Sequence, residues 1–212
     1  MAFDQQGDMG MNKKSWFCAW LLTAMILSII ACGAPIRYAE RDPDMKDFHP
    51  RTIGLLYVDV GTYPEARGVI NEIIVADLTD RHWFATVLTS DNVKNQLKND
   101  PELQKAVADY LLKLNTVNYS DPALSRQIGD SLKIEAFLIV TVDSWNYATE
   151  QREKASQDVA KAGLSMKLVE TATGRIAWKA GHNIVKEYTF LKPDLKDVGK
   201  SVVNAMIGAM PH

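Results

Sequence analysis

Hydrophobic and polar positions divide the chain into three regions of different pattern. Trp16 to Ile30 is an almost unbroken apolar run, preceded by Lys13 and Lys14. Residues 33–51 hold Pro35, Pro43 and Pro50 among alternating charges, with few apolar side chains. That stretch reads as a tether with no core of its own. From Thr52 onward, apolar positions recur with strand and helix periods. Thr52 to Val60 is mostly apolar and suits a buried strand. Gly61 to Pro64 turns the chain into a helix in which Val69, Ile70, Ile73, Ile74, Val75 and Leu78 form a broad stripe. A stripe that wide predicts a mostly covered helix lying on a sheet.

Trp83 to Leu88 is a short strand candidate, rich in aromatic and β-branched residues. Ser90 or Asp91 is placed to cap a short helix through Leu97. Asp100-Pro101-Glu102 is a helix start, followed by Leu103, Ala106, Val107, Tyr110, Leu111 and Leu114 in steps of three and four. Asp121-Pro122 repeats that signal ahead of Leu124, Ile128 and Leu132. Phe137 to Val142 is the strongest strand in the chain. Residues 143–161 are polar and charged, and read either as a long hairpin connection or as a short exposed helix. Gly163 to Glu170 alternates Leu164, Met166 and Leu168 with polar residues, the pattern of a half-buried strand. Thr171 to Gly174 forms a hairpin turn, and the return strand runs from Arg175 through Trp178 to Tyr188. Asp194 caps a last helix carrying Leu195, Val198, Val202, Met206 and Met210. The order predicts one α/β (α+β) domain over 52–212.

The N-terminal apolar run ends in Ile29-Ile30-Ala31-Cys32-Gly33. A basic start, an apolar segment and a small residue before the cut describe a secretory signal, and the run is short for a spanning helix. The junction resembles the lipobox of bacterial lipoproteins. That resemblance makes residues 1–31 a signal peptide, Ala31 the last residue removed and Cys32 the diacylated first residue of a 32–51 tether. Palmitate-type acylation on Cys32 then anchors the chain, because several acyl chains hold where one is marginal. Asp4 and Asp8 are unusual ahead of a secretory core, whereas Met11-Asn-Lys-Lys is a typical start, so translation is expected to begin at Met11. Fully extended, 33–51 reaches on the order of 60 Å.

The chain has 212 residues, 47% hydrophobic and 24% charged, with a net charge of −2. That is a globular composition and a poor one for nucleic-acid binding, which needs a clustered basic surface. Of the two cysteines, Cys18 lies in the apolar run and Cys32 at its end, so a disulfide scaffold and a Cys-based zinc cluster are excluded.

Three passages carry a family resemblance. They are Ile53 to Val60, Ile128-Gly129-Asp130-Ser131-Leu132 running into Ala136 to Val140, and Leu164 to Trp178 with its Thr173-Gly174-Arg175-Ile176-Ala177-Trp178 hairpin. Together they resemble the lipoproteins similar to the curli secretion lipoprotein CsgG, the penicillin-binding-protein activator LpoB and neisserial-type lipoproteins. Glu170 stands where that family often has Asp, and Ile134-Glu135-Ala136 replaces a common Gly-Ala-Asp. The resemblance implies a domain similar to the N-terminal domain of TolB, a mixed sheet flanked by helices. It also implies an outer-membrane lipoprotein facing the periplasm, since Gly33 is not the Asp that often marks inner-membrane retention.

Chemistry is sparse. His49, His82, His182 and His212 include no pair at helical metal spacing, and His182 reads as a surface strand residue. His82 follows a helix end, where a cation complements the dipole. No nucleophile motif or phosphate-cradling loop occurs, so no catalytic residue, metal or cofactor is expected. Trp145 and Tyr147, at the start of the polar segment, and Trp178, on the hairpin, are candidate partner-binding anchors. Core packing at a strand end is the competing reading and ranks slightly ahead. The expected function is non-catalytic binding or assembly of envelope proteins, with homo-oligomerisation left open. A curli-type secretion channel subunit is the alternative, and a periplasmic enzyme a distant third. For the channel, the charges in 143–161 are unfavourable, because a lipid-facing strand needs one apolar face.

Overall fold

The computed structural model describes residues 36–152 and 155–212. The expected signal at 1–31, the Met11 start and the lipidation candidate Cys32 lie outside the described residues. The elements are β1 (Tyr38–Arg41), β2 (Thr52–Asp59), α1 (Ala66–Asp80), β3 (Thr86–Leu88), α2 (Ser90–Asn99), α3 (Pro101–Val117), α4 (Pro122–Leu132), β4 (Ala136–Arg152), β5 (Ala155–Glu170), β6 (Ile176–Tyr188) and α5 (Leu195–Gly208). The strands form one mixed sheet in the order β1-β6-β5-β4-β2-β3. β2 runs parallel to β3 and β4, while β4, β5, β6 and β1 follow one another antiparallel. The α/β fold with helices flanking a mixed sheet is therefore the one the element order predicts.

Period-two alternation on buried strands gives the sheet two cores. Ala136, Leu138, Val140 and Val142 of β4 join α1 residues Ile70, Ile74 and Leu78 and α5 residues Val202, Val203 and Met206. Phe137 and Ile139 of the same strand join Leu103, Val107, Tyr110 and Leu114 of α3 and Ile128 and Leu132 of α4. Helices on both faces explain why β2 and β4 read as continuous apolar runs.

The helix starts obey the capping rules. Asp100 accepts from the Leu103 amide at 2.9 Å, Asp121 from Ala123 and Leu124, and Asp194 from Lys196. Helix α2 is capped by Thr89, which accepts from Asn92, and not by Ser90 or Asp91. Ser90 instead donates to the side chain of Asn71. The strand expected over Trp83–Leu88 is confined to Thr86–Leu88, while Phe84 packs into the core.

Two polar segments hold strands. The tether over 32–51 gives way to structure at Tyr38, where β1 pairs with β6 from Tyr38–Gly181 to Arg41–Trp178. Three of its four residues are exposed, and the Tyr38 ring lies over Gly181. The strand satisfies backbone groups that β6 would otherwise present as an open edge. Arg175 also bonds Asp42 and Asp44 at 2.8 and 2.9 Å, and Lys179 bonds Glu40 at 2.8 Å. Met45 is buried and Phe48 packs against the core, so the domain begins before Thr52. The second segment, 143–161, is the continuation of β4 and β5, paired from Ser144–Gly163 to Arg152–Ala155 past a bulge after Val142. Of the two expected arrangements the long hairpin forms, with both arms paired as strands, and the exposed helix does not.

The hairpin turn at 171–174 is welded to α4. Gly129 faces Thr171 so closely that a Cβ would fall 2.4 Å from the Thr171 Cβ. The Thr171 hydroxyl donates toward the Ile134 and Glu135 carbonyls, and Ser125 donates to the Thr171 carbonyl at 3.0 Å. Tyr110, Ser120 and the Gly174 carbonyl form a hydrogen-bonded chain, 2.6 and 2.5 Å per step. Burial pushes the Tyr110 phenol up to about 12.

Val140 is fully buried on the central strand. A Val140→Asp variant places an unpaired carboxylate there, at a cost of several kcal/mol out of a typical ~5–15. Thermal melting by circular dichroism is expected to show loss of the cooperative transition. A soluble variant with a wild-type melt would contradict the central position of β4.

Candidate functional site

Two of the sequence-derived candidates, Trp145 and Tyr147, lie at one end of the sheet, whereas Trp178 lies near the start of β6, opposite Leu168 and Arg41. Beyond the bulge after Val142, the distal parts of β4 and β5 and the last turns of β6 run together, and α5 covers one face. Trp145 points into that covered face. Gly199 of α5 leaves room for its indole, since a Cβ there would lie 2.4 Å from Cζ3. Trp145 is 4% exposed and Trp178 1%. Both belong to the same core cluster, so neither is a surface anchor on this chain. Both serve core packing: Trp145 where the distal arms carry the core onward beneath α5, and Trp178 near the start of β6.

Tyr147 is only partly buried and packs against that cluster. Its hydroxyl donates to the Pro193 carbonyl at 2.8 Å. Its ring meets Tyr188 edge-on, with centroids 6.2 Å apart, and Lys192 Nζ lies 3.5 Å from the ring centroid. Tyr147 thus fixes the loop between β6 and α5. That loop carries Phe190, fully exposed, and Leu191, 87% exposed. Single-sequence pattern reading passed over both, because two apolar residues in a connection have no periodicity to mark them.

His182 is buried on β6, not at the surface as its polar neighbours suggest. It shares the inward-facing register of Trp178 and Ala180. Its Nε2 and the Trp178 indole nitrogen lack hydrogen-bond partners. Burial lowers the His182 pKa, which favours the neutral ring. His82 follows α1 with φ 54°, a left-handed residue that turns the chain toward β3.

Elsewhere, a groove of about 610 Å³ lies between α1 and α2, lined by Arg67, Asn71, Glu72, Ser90, Asp91 and Lys94. Lys94 bonds Asp91 along α2, and Lys196 of α5 bonds Glu72 of α1. Among the described residues, no group of three or more His, Cys, Asp or Glu is placed to hold a metal ion. No helix among them is long and apolar enough to cross a membrane.

No family model and no curated protein matches the chain. Solved structures give distant likenesses. The PelC dodecamer from Paraburkholderia phytofirmans is 13% identical over 81% of this chain and 94% of its own, with a TM-score of 0.47. Lipoprotein GNA1162 from Neisseria meningitidis is 17% identical over 76% of this chain and 100% of its own, with a TM-score of 0.48. A minor lipoprotein from Acinetobacter baumannii is 7% identical over 75% of this chain and 89% of its own, with a TM-score of 0.36. At such identities a shared outline does not transfer chemistry.

Removing the Trp145 side chain opens a large void beneath α5. Trp145→Ala is expected to cost about 3–5 kcal/mol and to lower Tm by on the order of 10 °C. Differential scanning calorimetry checks this. An unchanged melting curve would return Trp145 to the role of an exposed anchor.

Proposed function

We propose that this chain is a non-catalytic bacterial lipoprotein. Lipid on Cys32 holds it to the outer membrane, and the α/β domain faces the periplasm to bind or assemble envelope proteins. The observation that carries this reading is the Ala31-Cys32-Gly33 junction directly after the Trp16–Ile30 apolar run. Gly33 in place of Asp supports the outer membrane by resemblance. The position of β1 changes the mechanical picture. From Cys32 to Tyr38 the chain reaches at most about 20 Å, so the domain meets its partners close to the bilayer.

The charges that dot the surface act in the fold: Asp100, Asp121 and Asp194 as caps, Arg175 as the clamp on β1. Such uses account for many of the polar residues without calling on a reaction. The secretion-channel alternative asks the distal β4–β5 hairpin to face lipid. Trp145, Ala160 and Ala162 on that hairpin are already buried in the core beneath α5.

Cys32→Ser is expected to abolish metabolic labelling with palmitate and to release the chain from the membrane fraction. Continued labelling together with membrane fractionation would remove the lipoprotein reading.

A further inference from the structure

We propose that the Phe190–Leu191 loop is a second membrane contact, resting on the surface of the same bilayer that holds Cys32. The inference builds on the lipoprotein reading and adds an orientation to it. Phe190 and Leu191 are the two most exposed large apolar side chains among the described residues, and they are adjacent. Their loop is fixed at both ends. Gln157 donates to the Tyr188 carbonyl at 2.9 Å, Tyr147 donates to the Pro193 carbonyl, and Asp194 caps α5. The pair is therefore displayed on a braced turn, without a core to fold back into.

Strand direction supplies the occupant. β1 pairs antiparallel with β6, with Tyr38 opposite Gly181 and Arg41 opposite Trp178. The chain preceding Tyr38 consequently enters the sheet from the side on which β6 ends at Tyr188. From Gly181 to Tyr188 β6 runs about 23 Å at the usual rise per residue. The segment from Cys32 to Tyr38 spans at most about 20 Å. Those lengths are comparable, so a bilayer that holds Cys32 is within reach of the Phe190–Leu191 loop. Lys192 follows the pair directly, and Lys186 is exposed on the last turns of β6. Phe and Leu followed by Lys, with Lys186 and Glu187 exposed at the end of β6, suit the boundary between acyl chains and headgroups. Lipid fixes the distance, and the loop fixes which face of the domain looks away from the membrane.

The test uses the full lipidated chain carrying Phe190→Cys. Cys18 leaves with the signal and Cys32 is acylated, so the new thiol alone accepts an environment-sensitive fluorophore. Leu112→Cys, at an exposed position of α3, serves as the reference. Both are placed on vesicles of phosphatidylethanolamine and phosphatidylglycerol, with and without brominated acyl chains. The expected result is a blue-shifted emission at position 190 that bromine quenches, and neither effect at position 112. A water-like, unquenched emission at 190 on protein that floats with the vesicles and carries palmitate would overturn the inference and leave the lipid anchor standing. A blue shift without quenching, accompanied by cross-linking between two 190 thiols, would also overturn it by assigning the loop to a second copy of the chain. Absence of palmitate would remove the lipoprotein reading, and the inference with it.

Discussion

Between Ala136 and Val140, β4 is buried on both faces while also pairing on both edges. The neighbours on its two edges run in opposite senses, β2 parallel and β5 antiparallel. That constraint organises the rest. A strand wanted by two cores requires helices on either side of the sheet, and the chain supplies α1 and α5 to one face and α3 and α4 to the other. The parallel edge requires crossover connections, which α1 through α4 provide. The antiparallel edge permits a direct hairpin, and β5 and β6 are built from it.

The hairpin turn at 171–174 is where the two halves are joined. The missing side chain at Gly129 admits Thr171, and Thr171 and Ser125 use their hydroxyls to close the seam between α4 and the sheet. Ile128–Leu132 and the 164–178 hairpin are thus in contact through the Gly129–Thr171 pair. One residue beyond the turn, Arg175 reaches Asp42 and Asp44 and clamps the N-terminal strand to the edge of the sheet.

Apolar periodicity and Asp-Pro starts made most of this architecture legible. Phe137–Val142, the α3 stripe from Leu103 to Leu114 and the caps at Asp100, Asp121 and Asp194 occur as predicted. What pattern reading missed has a common physical origin. β1 and the outer end of the distal hairpin, 149–152 and 155–158, are held by main-chain pairing and salt links on polar sequence, so they leave no hydrophobic signature. Gln151, Ser156 and Asp158 belong to strands only because a partner strand lies beside them. Of the site candidates, Trp145 and Trp178 went to the core because aromatic residues among charges look alike whether they line a strand end or a surface. Phe190 and Leu191 are exposed without belonging to any periodic element, and only the folded chain distinguishes them from core residues.

The functional account treats the domain as a compact body held at the membrane by lipid and touching it from outside. Its distal hairpin packs one face against α5. The most direct test is planar-bilayer recording of the full lipidated chain at increasing protein density. The account predicts a flat baseline with bound protein. Reproducible conductance steps would contradict it and require the β4–β5 hairpin to leave α5 and enter the bilayer.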